Sequence, residues 1–293
     1  GALEGGHGGL RGFDHPESWV ERFPSHGKKL AKPAVMPGQT LNGLDIWHWD
    51  WGPIDVPDTE TTDGKSVAWA AEQLQKHRDQ PHFLAVGIYR PHGPWYVPRE
   101  YFDRFPLESI QLPKLKADDL DDVPPIAKRH EGRGYHQAIL ERNLYPSAVQ
   151  AYLANIAFAD AQLGKLLDAL DRSPARERTI VVLWSDHGWH LGEKQWWHKS
   201  TNWERATRVP LLVKAPGIVS PGTTCPQSVS LVDLYPTLVE LCGLQSPEKL
   251  DGLSLVPQLK DPTTPRVRPA LTTRTGVHHS VRSEHWRYIR YQD

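Results

Sequence analysis

A chain of 293 residues, 39% hydrophobic and 24% charged, is long enough for one large α/β domain or a domain and a half. With 34 Lys and Arg against 35 Asp and Glu its net charge is −1, so no overall field draws it to nucleic acid or an anionic membrane, and any anion site must be local. No apolar run approaches the roughly 20 residues that span a bilayer, and the two cysteines, Cys225 and Cys242, lack zinc-ligand spacing and leave one disulfide or none. Twelve Trp and 15 His suit either polar, sugar-like ligands or core packing. The opening GALEGGHGGLRGF has no Met and no signal-peptide pattern. With an abrupt end at Asp293, the chain reads as an internal piece of a longer polypeptide.

In chain order, the Gly-, Pro-, Trp- and Asp-rich residues 1–64 predict loops. Asp63 is placed to cap a helix over roughly 65–79 whose inner face carries Val67, Ala70, Ala71 and Leu74. The apolar run HFLAVGIY (82–89) predicts a buried strand that delivers Arg90-Pro91-His92-Gly93-Pro94 at its carboxyl end. Residues 95–145 are Pro- and charge-rich, and the cluster Asp118-Asp119-Leu120-Asp121-Asp122 reads as a solvated insertion loop rather than a cation site. Pro146 opens the clearest helix, on which Val149, Tyr152, Leu153, Ile156, Leu163, Leu166, Leu167 and Leu170 recur at helical spacing.

TIVVLWS (179–185) and VPLLVKAPG (209–217) predict two more buried strands, and a helix near 233–242 ends at Gly243. From about 270 the segments ALTTRTG, VHHSVRS and HWRYIRY alternate like antiparallel strands. This order predicts an α/β fold with a largely parallel central sheet flanked by helices, ligands at the strands' carboxyl ends, and the start of a small C-terminal antiparallel subdomain.

Two polar loops carry the chemistry. Asp186 and His187, at the exit of 179–185, either hold one metal ion together or serve as a helix cap and a satisfied loop histidine. Lys199 either places positive charge on a sulfate or phosphate oxygen or is a surface lysine. His92, between two prolines, either protonates a leaving group or binds an anionic oxygen, or is an ordinary loop residue. Trp189, His190, Trp196 and Trp197 either line a sugar pocket or support Lys199 from behind.

Four ordered segments bring these loops together: FLAVGIYRPHGPWYVPREYFDRF; SDHGWHLGEKQWWHK with ATRVPLLVKAPG; SLVDLYPTLVELCGL; and DGLSLVPQL. In that order they resemble the type I sulfatases of the alkaline phosphatase superfamily, the iduronate-2-sulfatase subgroup and its bacterial relatives in particular, over roughly residues 10–293. The resemblance implies a sulfuric ester hydrolase acting on small or glycan sulfate esters, with no nucleic acid or membrane partner. It makes Asp186 and His187 metal ligands, most naturally for Ca2+, and Lys199 and His92 the sulfate-contacting, catalytic pair.

The formylglycine nucleophile of such enzymes comes from a Cys/Ser-x-Pro-Ser-Arg motif, which is absent here, as is the aspartate pair before it. Cys225-Pro226-Gln227-Ser228 has the wrong order, Cys242 sits on the later helix, and His7 stands near the place of another family histidine. The expectation is therefore a partial catalytic domain over 1–265 lacking its N-terminal strands and nucleophile, the start of a subdomain over 266–293, and a periplasmic, secreted or lysosomal location. The rival readings are a phosphodiesterase or phosphonate hydrolase of the same superfamily, and a non-catalytic anion- or carbohydrate-binding remnant.

Overall fold

The computed structural model describes residues 19–23, 39–46, 48–128, 133–246 and 249–292. In chain order these form β1 (Trp51–Ile54), α1 (Thr62–Gln75), β2 (Trp95–Pro98), α2 (Arg99–Asp103), α3 (Pro125–Lys128), α4 (Arg133–Glu141) and α5 (Tyr145–Asp171). Then follow β3 (Val181–Trp184), α6 (Glu204–Thr207), β4 (Leu211–Lys214), α7 (Leu234–Leu241), α8 (Val256–Lys260), β5 (Ala270–Arg274), β6 (His278–Arg282) and β7 (Arg287–Arg290). His7 lies outside the described residues.

Of the described residues, those up to 112 and those from 138 to 176 form one compact unit. Within it β1 and β2 pair in parallel, Trp51 opposite Trp95. Trp49, Trp51, Trp95 and Tyr152 pack around this pair with ring centroids 5.2 to 6.5 Å apart. Beside them the buried Asp50 carboxylate accepts the Leu41 and Asn42 N–H groups, both at 2.9 Å, and the Tyr96 hydroxyl. Burial, with that carboxylate beside it, raises the Tyr96 pKa. Residues 1–64 are thus not all loop. The tetrapeptide Trp-Gly-Pro-Ile has no strand periodicity, and its extended state comes from aromatic neighbours more than 40 positions away.

Thr61 rather than Asp63 caps α1, its hydroxyl accepting the Gly64 N–H at 3.0 Å. Asp63 is buried and turned to another task described below. On α5 the buried positions are mostly small or polar, among them Ala148, Ala151, Ala154, Asn155 and Gln162, with Phe158 between, whereas Ile156 and Leu167 are exposed. Alanines let α1 approach α5 closely, so the packed face is not the most hydrophobic one. HFLAVGIY is not a strand. Among the described residues it forms no ladder, and burial alternates along it, leaving Phe83 exposed.

Residues 113–137 and those from 177 onward form the second unit. The expected parallel pairing is met by β1–β2, but β3 runs antiparallel to β4, Trp184 opposite Leu211. Neither of these strands is buried on both faces: Trp184 and Leu212 are exposed. A two-stranded ladder with one covered face needs only alternate residues inside, and β4 follows that pattern. β5, β6 and β7 form the expected antiparallel meander. Its registers place Leu271, Val281 and Tyr288 in one row and Thr273, His279 and Arg290 in the next, while Ser280 on the opposite face is buried.

Asp233, at the start of α7, ties SLVDLYPT to DGLSL. It accepts the Ser230 N–H at 2.9 Å, the Leu253 N–H at 2.8 Å and the Arg266 guanidinium at 2.8 Å. Gly252 is required there because a Cβ would collide with the Val232 carbonyl oxygen. The Arg266 and Asp233 side chains are 7% and 2% exposed, so removing one strands the other in a dry site. Asp233→Ala is therefore expected to destabilise the fold by about 3–5 kcal/mol, read as a lower urea midpoint. A change below about 1 kcal/mol would show the hub to be dispensable.

Candidate active site

β3 ends in Ser185-Asp186-His187-Gly188, and the turn is held by its own backbone. The Asp186 Oδ1 accepts the His187 N–H at 3.0 Å, the Ser185 hydroxyl donates to the His187 carbonyl at 2.8 Å, and the Gly188 N–H donates to Ala206 O at 2.8 Å. Asp186 caps no helix, since the next ones begin only at Glu193 and Glu204. Gly188 is needed because a Cβ would strike the Arg205 carbonyl oxygen, and its φ is not left-handed. The constraint is close packing against the start of α6 rather than a sharp turn.

The two side chains at this exit differ in exposure: the Asp186 side chain is 69% exposed and that of His187 24%. His187 Nδ1 lies 2.9 Å from Gly188 O, and a carbonyl only accepts, so the neutral ring carries its proton on Nδ1. Its lone pair is then on Nε2, 3.7 Å from Asp186 Oδ2. Burial lowers the His187 pKa, which favours the neutral, ligating form. A carboxylate and an Nε2 lone pair at this spacing suit two positions around one divalent ion, with the Gly188 carbonyl orienting the ring. Among the described residues no third His, Cys, Asp or Glu joins them.

Lys199 shares their electrostatic environment: burial lowers its pKa, and Asp186 pulls it partly back. The loop that carries it is packed from behind. Trp197 and His190 are 0% and 1% exposed, and Trp189 and Trp196 are buried too. Of the two roles open to these rings, support behind Lys199 is the one their burial allows. The Trp196 indole donates to the Lys199 carbonyl at 2.8 Å. His190 Nε2 meets the Thr201 hydroxyl at 3.0 Å and its Nδ1 the Glu193 carbonyl at 3.2 Å. Burial lowers the His190 pKa to about 4.

His92 belongs to the other unit, on a loop with cis bonds at Arg90-Pro91 and Gly93-Pro94. Its Nδ1 is 2.8 Å from both the Tyr89 hydroxyl and the Gly93 carbonyl, and the same hydroxyl donates to that carbonyl at 2.9 Å. The arrangement favours a proton on Nδ1 and a lone pair on Nε2. Asp63 anchors this loop, accepting the Tyr89 N–H at 3.0 Å and the Arg90 N–H at 3.1 Å. The Arg90 guanidinium binds the carbonyls of Tyr96 and His92, both at 3.2 Å.

Sequence reasoning missed several supports. Asp119 is not a solvated charge: it accepts the Lys194 N–H at 2.7 Å and lies 3.0 Å from the Lys194 ammonium. His136 Nδ1 accepts the Trp197 indole N–H at 3.1 Å, and the Tyr135 ring sits 5.6 Å from that of His198. Beyond Lys199, Arg287 grips Glu204 at 2.7 Å and Asn202 O at 3.1 Å, with Arg282 also on Glu204. The acidic run at 118–122 was the one available signal, and nothing local named its partner 75 positions away. Cys225 and Cys242 are both free and exposed.

Residues 22–244 match the family model described as Sulfatase. The chain belongs to the sulfatase family. It is 40% identical over 247 residues to a sulfatase of Formosa agariphila, covering 83% of this chain and 48% of that protein. It is 32% identical over 237 residues to human iduronate 2-sulfatase, covering 67% of this chain and 42% of the relative. The chain thus spans about half the length of the curated relatives it matches. Two solved structures share the α/β sulfatase-like fold. One is a protein in complex with its substrate D-glucosamine-2-N,6-O-disulfate, with TM-score 0.63, 19% identity, and 79% and 60% of the two chains covered. The other is the phosphonate monoester hydrolase of Agrobacterium radiobacter, with TM-score 0.65, 21% identity, and 96% and 59% covered. Among the described residues no helix is long and apolar enough to cross a membrane.

His190 makes the packing behind Lys199 measurable. The unfolded chain takes up a proton near pH 6.5 and the folded chain only near 4, so stability falls as pH is lowered through that window. The loss attributable to this residue is up to about 3 kcal/mol. Urea denaturation from pH 7 to 4 is expected to show a shallower decline in His190→Gln than in the wild type. Parallel curves would mean that the imidazole is solvated.

Proposed function

We propose that this chain carries the sulfate-binding part of a sulfatase that hydrolyses sulfate esters of glycans, sulfated uronates among them. The observation that carries the reading is that half-buried Lys199 shares the electrostatic environment of Asp186 and His187, which lie at the end of β3. A buried loop holds them there, in a chain that matches the sulfatase family over most of its length. The neighbour bound to a disulfated glucosamine and the likeness to iduronate 2-sulfatase support a sulfated sugar as substrate. A periplasmic, secreted or lysosomal setting accompanies that substrate class.

In this reading Asp186 and His187 hold a divalent cation, Ca2+ by family resemblance, although an imidazole also suits softer ions. When bound, that ion neutralises charge on the ester's oxygens. Lys199 contributes a second positive charge, stronger for being partly desolvated, to an oxygen that gains charge as the ester bond breaks. His92, a sulfate-contacting residue by family resemblance, has its Nδ1 anchored by Tyr89 and Gly93; with a proton also on Nε2 it donates to an ester oxygen and passes that proton to the leaving alcohol. The sequence has no Cys/Ser-x-Pro-Ser-Arg motif, so the formylglycine of the family is not supplied by residues 1–293.

The test uses the complete polypeptide with an aryl sulfate and an aryl phosphate side by side. The expected outcome is preference for the sulfate, and metal-dependent turnover that disappears in Asp186→Ala and His187→Ala together with any Ca2+-induced rise in Tm. Normal turnover in either variant would remove the metal assignment. Lys199→Ala is expected to lower kcat/KM for the sulfate about 10²–10³-fold at unchanged Tm. Preference for the phosphate would favour the phosphoester reading.

A further inference from the structure

The loop that carries His92 is pinned along its backbone. Asp63, buried at the start of α1, holds the Tyr89 and Arg90 N–H groups, and the Arg90 guanidinium holds the His92 carbonyl at 3.2 Å. The His92 N–H donates to the Tyr89 carbonyl at 3.0 Å and closes the turn. None of these bonds decides which ring nitrogen of His92 carries a proton.

The side chain of Tyr89 bears on that choice. Its hydroxyl, His92 Nδ1 and the Gly93 carbonyl oxygen form a triangle with sides of 2.8, 2.8 and 2.9 Å. A carbonyl only accepts, so the triangle is satisfied when the hydroxyl donates to Gly93 O and Nδ1–H donates to either oxygen. With Nδ1 bare, one hydroxyl hydrogen would have to serve two acceptors, and the imidazole lone pair would face the carbonyl at 2.8 Å. Gly93 alone would release Nδ1 on a turn of the ring. The hydroxyl bridges both partners and removes that freedom, and the phenol, 4.9 Å from the imidazole between centroids, limits its swing.

We propose that Tyr89 is a positioning residue for the leaving-group proton: it keeps one proton on His92 Nδ1, so that Nε2 alone gives up and regains the other. The inference rests on the reading of His92 as the acid that protonates the departing alcohol. When the ester's sulfur is attacked, the sulfur–oxygen bond breaks with its electron pair on the alcohol oxygen. That oxygen takes the Nε2 proton, and the ring is left neutral with Nδ1–H still in the triangle. Without the hydroxyl, part of the population presents the wrong nitrogen or the wrong ring orientation. A hydroxyl serving the fold alone would only duplicate the closure that the His92 N–H already makes.

The test uses the complete polypeptide and two esters: an alkyl sulfate, whose alcohol needs a proton to leave, and nitrophenyl sulfate, whose phenolate does not. Tyr89→Phe is expected to lower kcat/KM for the alkyl ester about tenfold, the worth of one hydrogen bond. For the nitrophenyl ester the loss should stay below about threefold, because little proton transfer is needed there. Inhibition by inorganic sulfate should be unchanged. In a His92→Ala background the same substitution should cost nothing more, since Tyr89 acts through His92. Equal losses on the two esters in Tyr89→Phe, or a further loss in the double variant, would show a packing role and overturn the proposal. So would full alkyl sulfate turnover in Tyr89→Phe alongside a selective loss in His92→Ala. A His92→Ala loss equal for both esters would instead strike at the acid role of His92 itself, and this inference would fall with it.

Discussion

Gly192, Lys194, Gln195 and Ser200 all have positive φ, between 55° and 105°, and three of the four carry side chains. Each such non-glycine residue costs on the order of 1–3 kcal/mol relative to an ordinary conformation, so a loop of this shape does not persist alone. It persists because the surroundings over-determine it. Asp119 takes the Lys194 N–H and ammonium, His136 takes the Trp197 indole, and Arg287 fixes the far side through Glu204 and the Asn202 carbonyl. These partners come from three separate stretches of sequence, and together they hold the loop that carries Lys199.

The same arrangement explains the contrast between the site's charged groups and their support. Asp119 and Glu204 are carboxylates whose pKa burial alone would raise, yet bonds from Lys194 in one case and from Arg287 and Arg282 in the other hold them below the usual range. Both are satisfied, hence structural. At Lys199 burial lowers the pKa and the field of Asp186 raises it. His190, deeper still, is kept neutral and packs like an apolar ring with two hydrogen bonds.

Much of the fold was legible because long periodic or punctuated segments leave little choice. The helix behind Pro146, the helix near 233–242 and the C-terminal meander appear where the pattern places them. What was not legible depended on partners distant in sequence. Asp63 looks like a helix cap, but its carboxylate serves the backbone of Tyr89 and Arg90 while Thr61 does the capping. Asp119 looks like part of a solvated run, because only the fold brings Lys194 to it. HFLAVGIY looks like a strand by composition, yet a strand is a property of a pair, and among the described residues it forms no ladder. Asp186, His187 and Lys199 were legible as candidates, whereas the tautomer of His187 needed the Gly188 carbonyl.

Charge counts illustrate the limit most sharply in the last strand. Arg287 and Arg290 are three residues apart and identical in chemistry, but an odd separation on a strand sends them to opposite faces. Arg287 turns inward, 16% exposed, and is spent on Glu204, Asn202 and Ser280. Arg290 turns outward beside Tyr288, level with His279 and Thr273. A composition reading would score both as one basic cluster. Strand parity separates a structural arginine that orders the Lys199 loop from one that the described residues leave exposed.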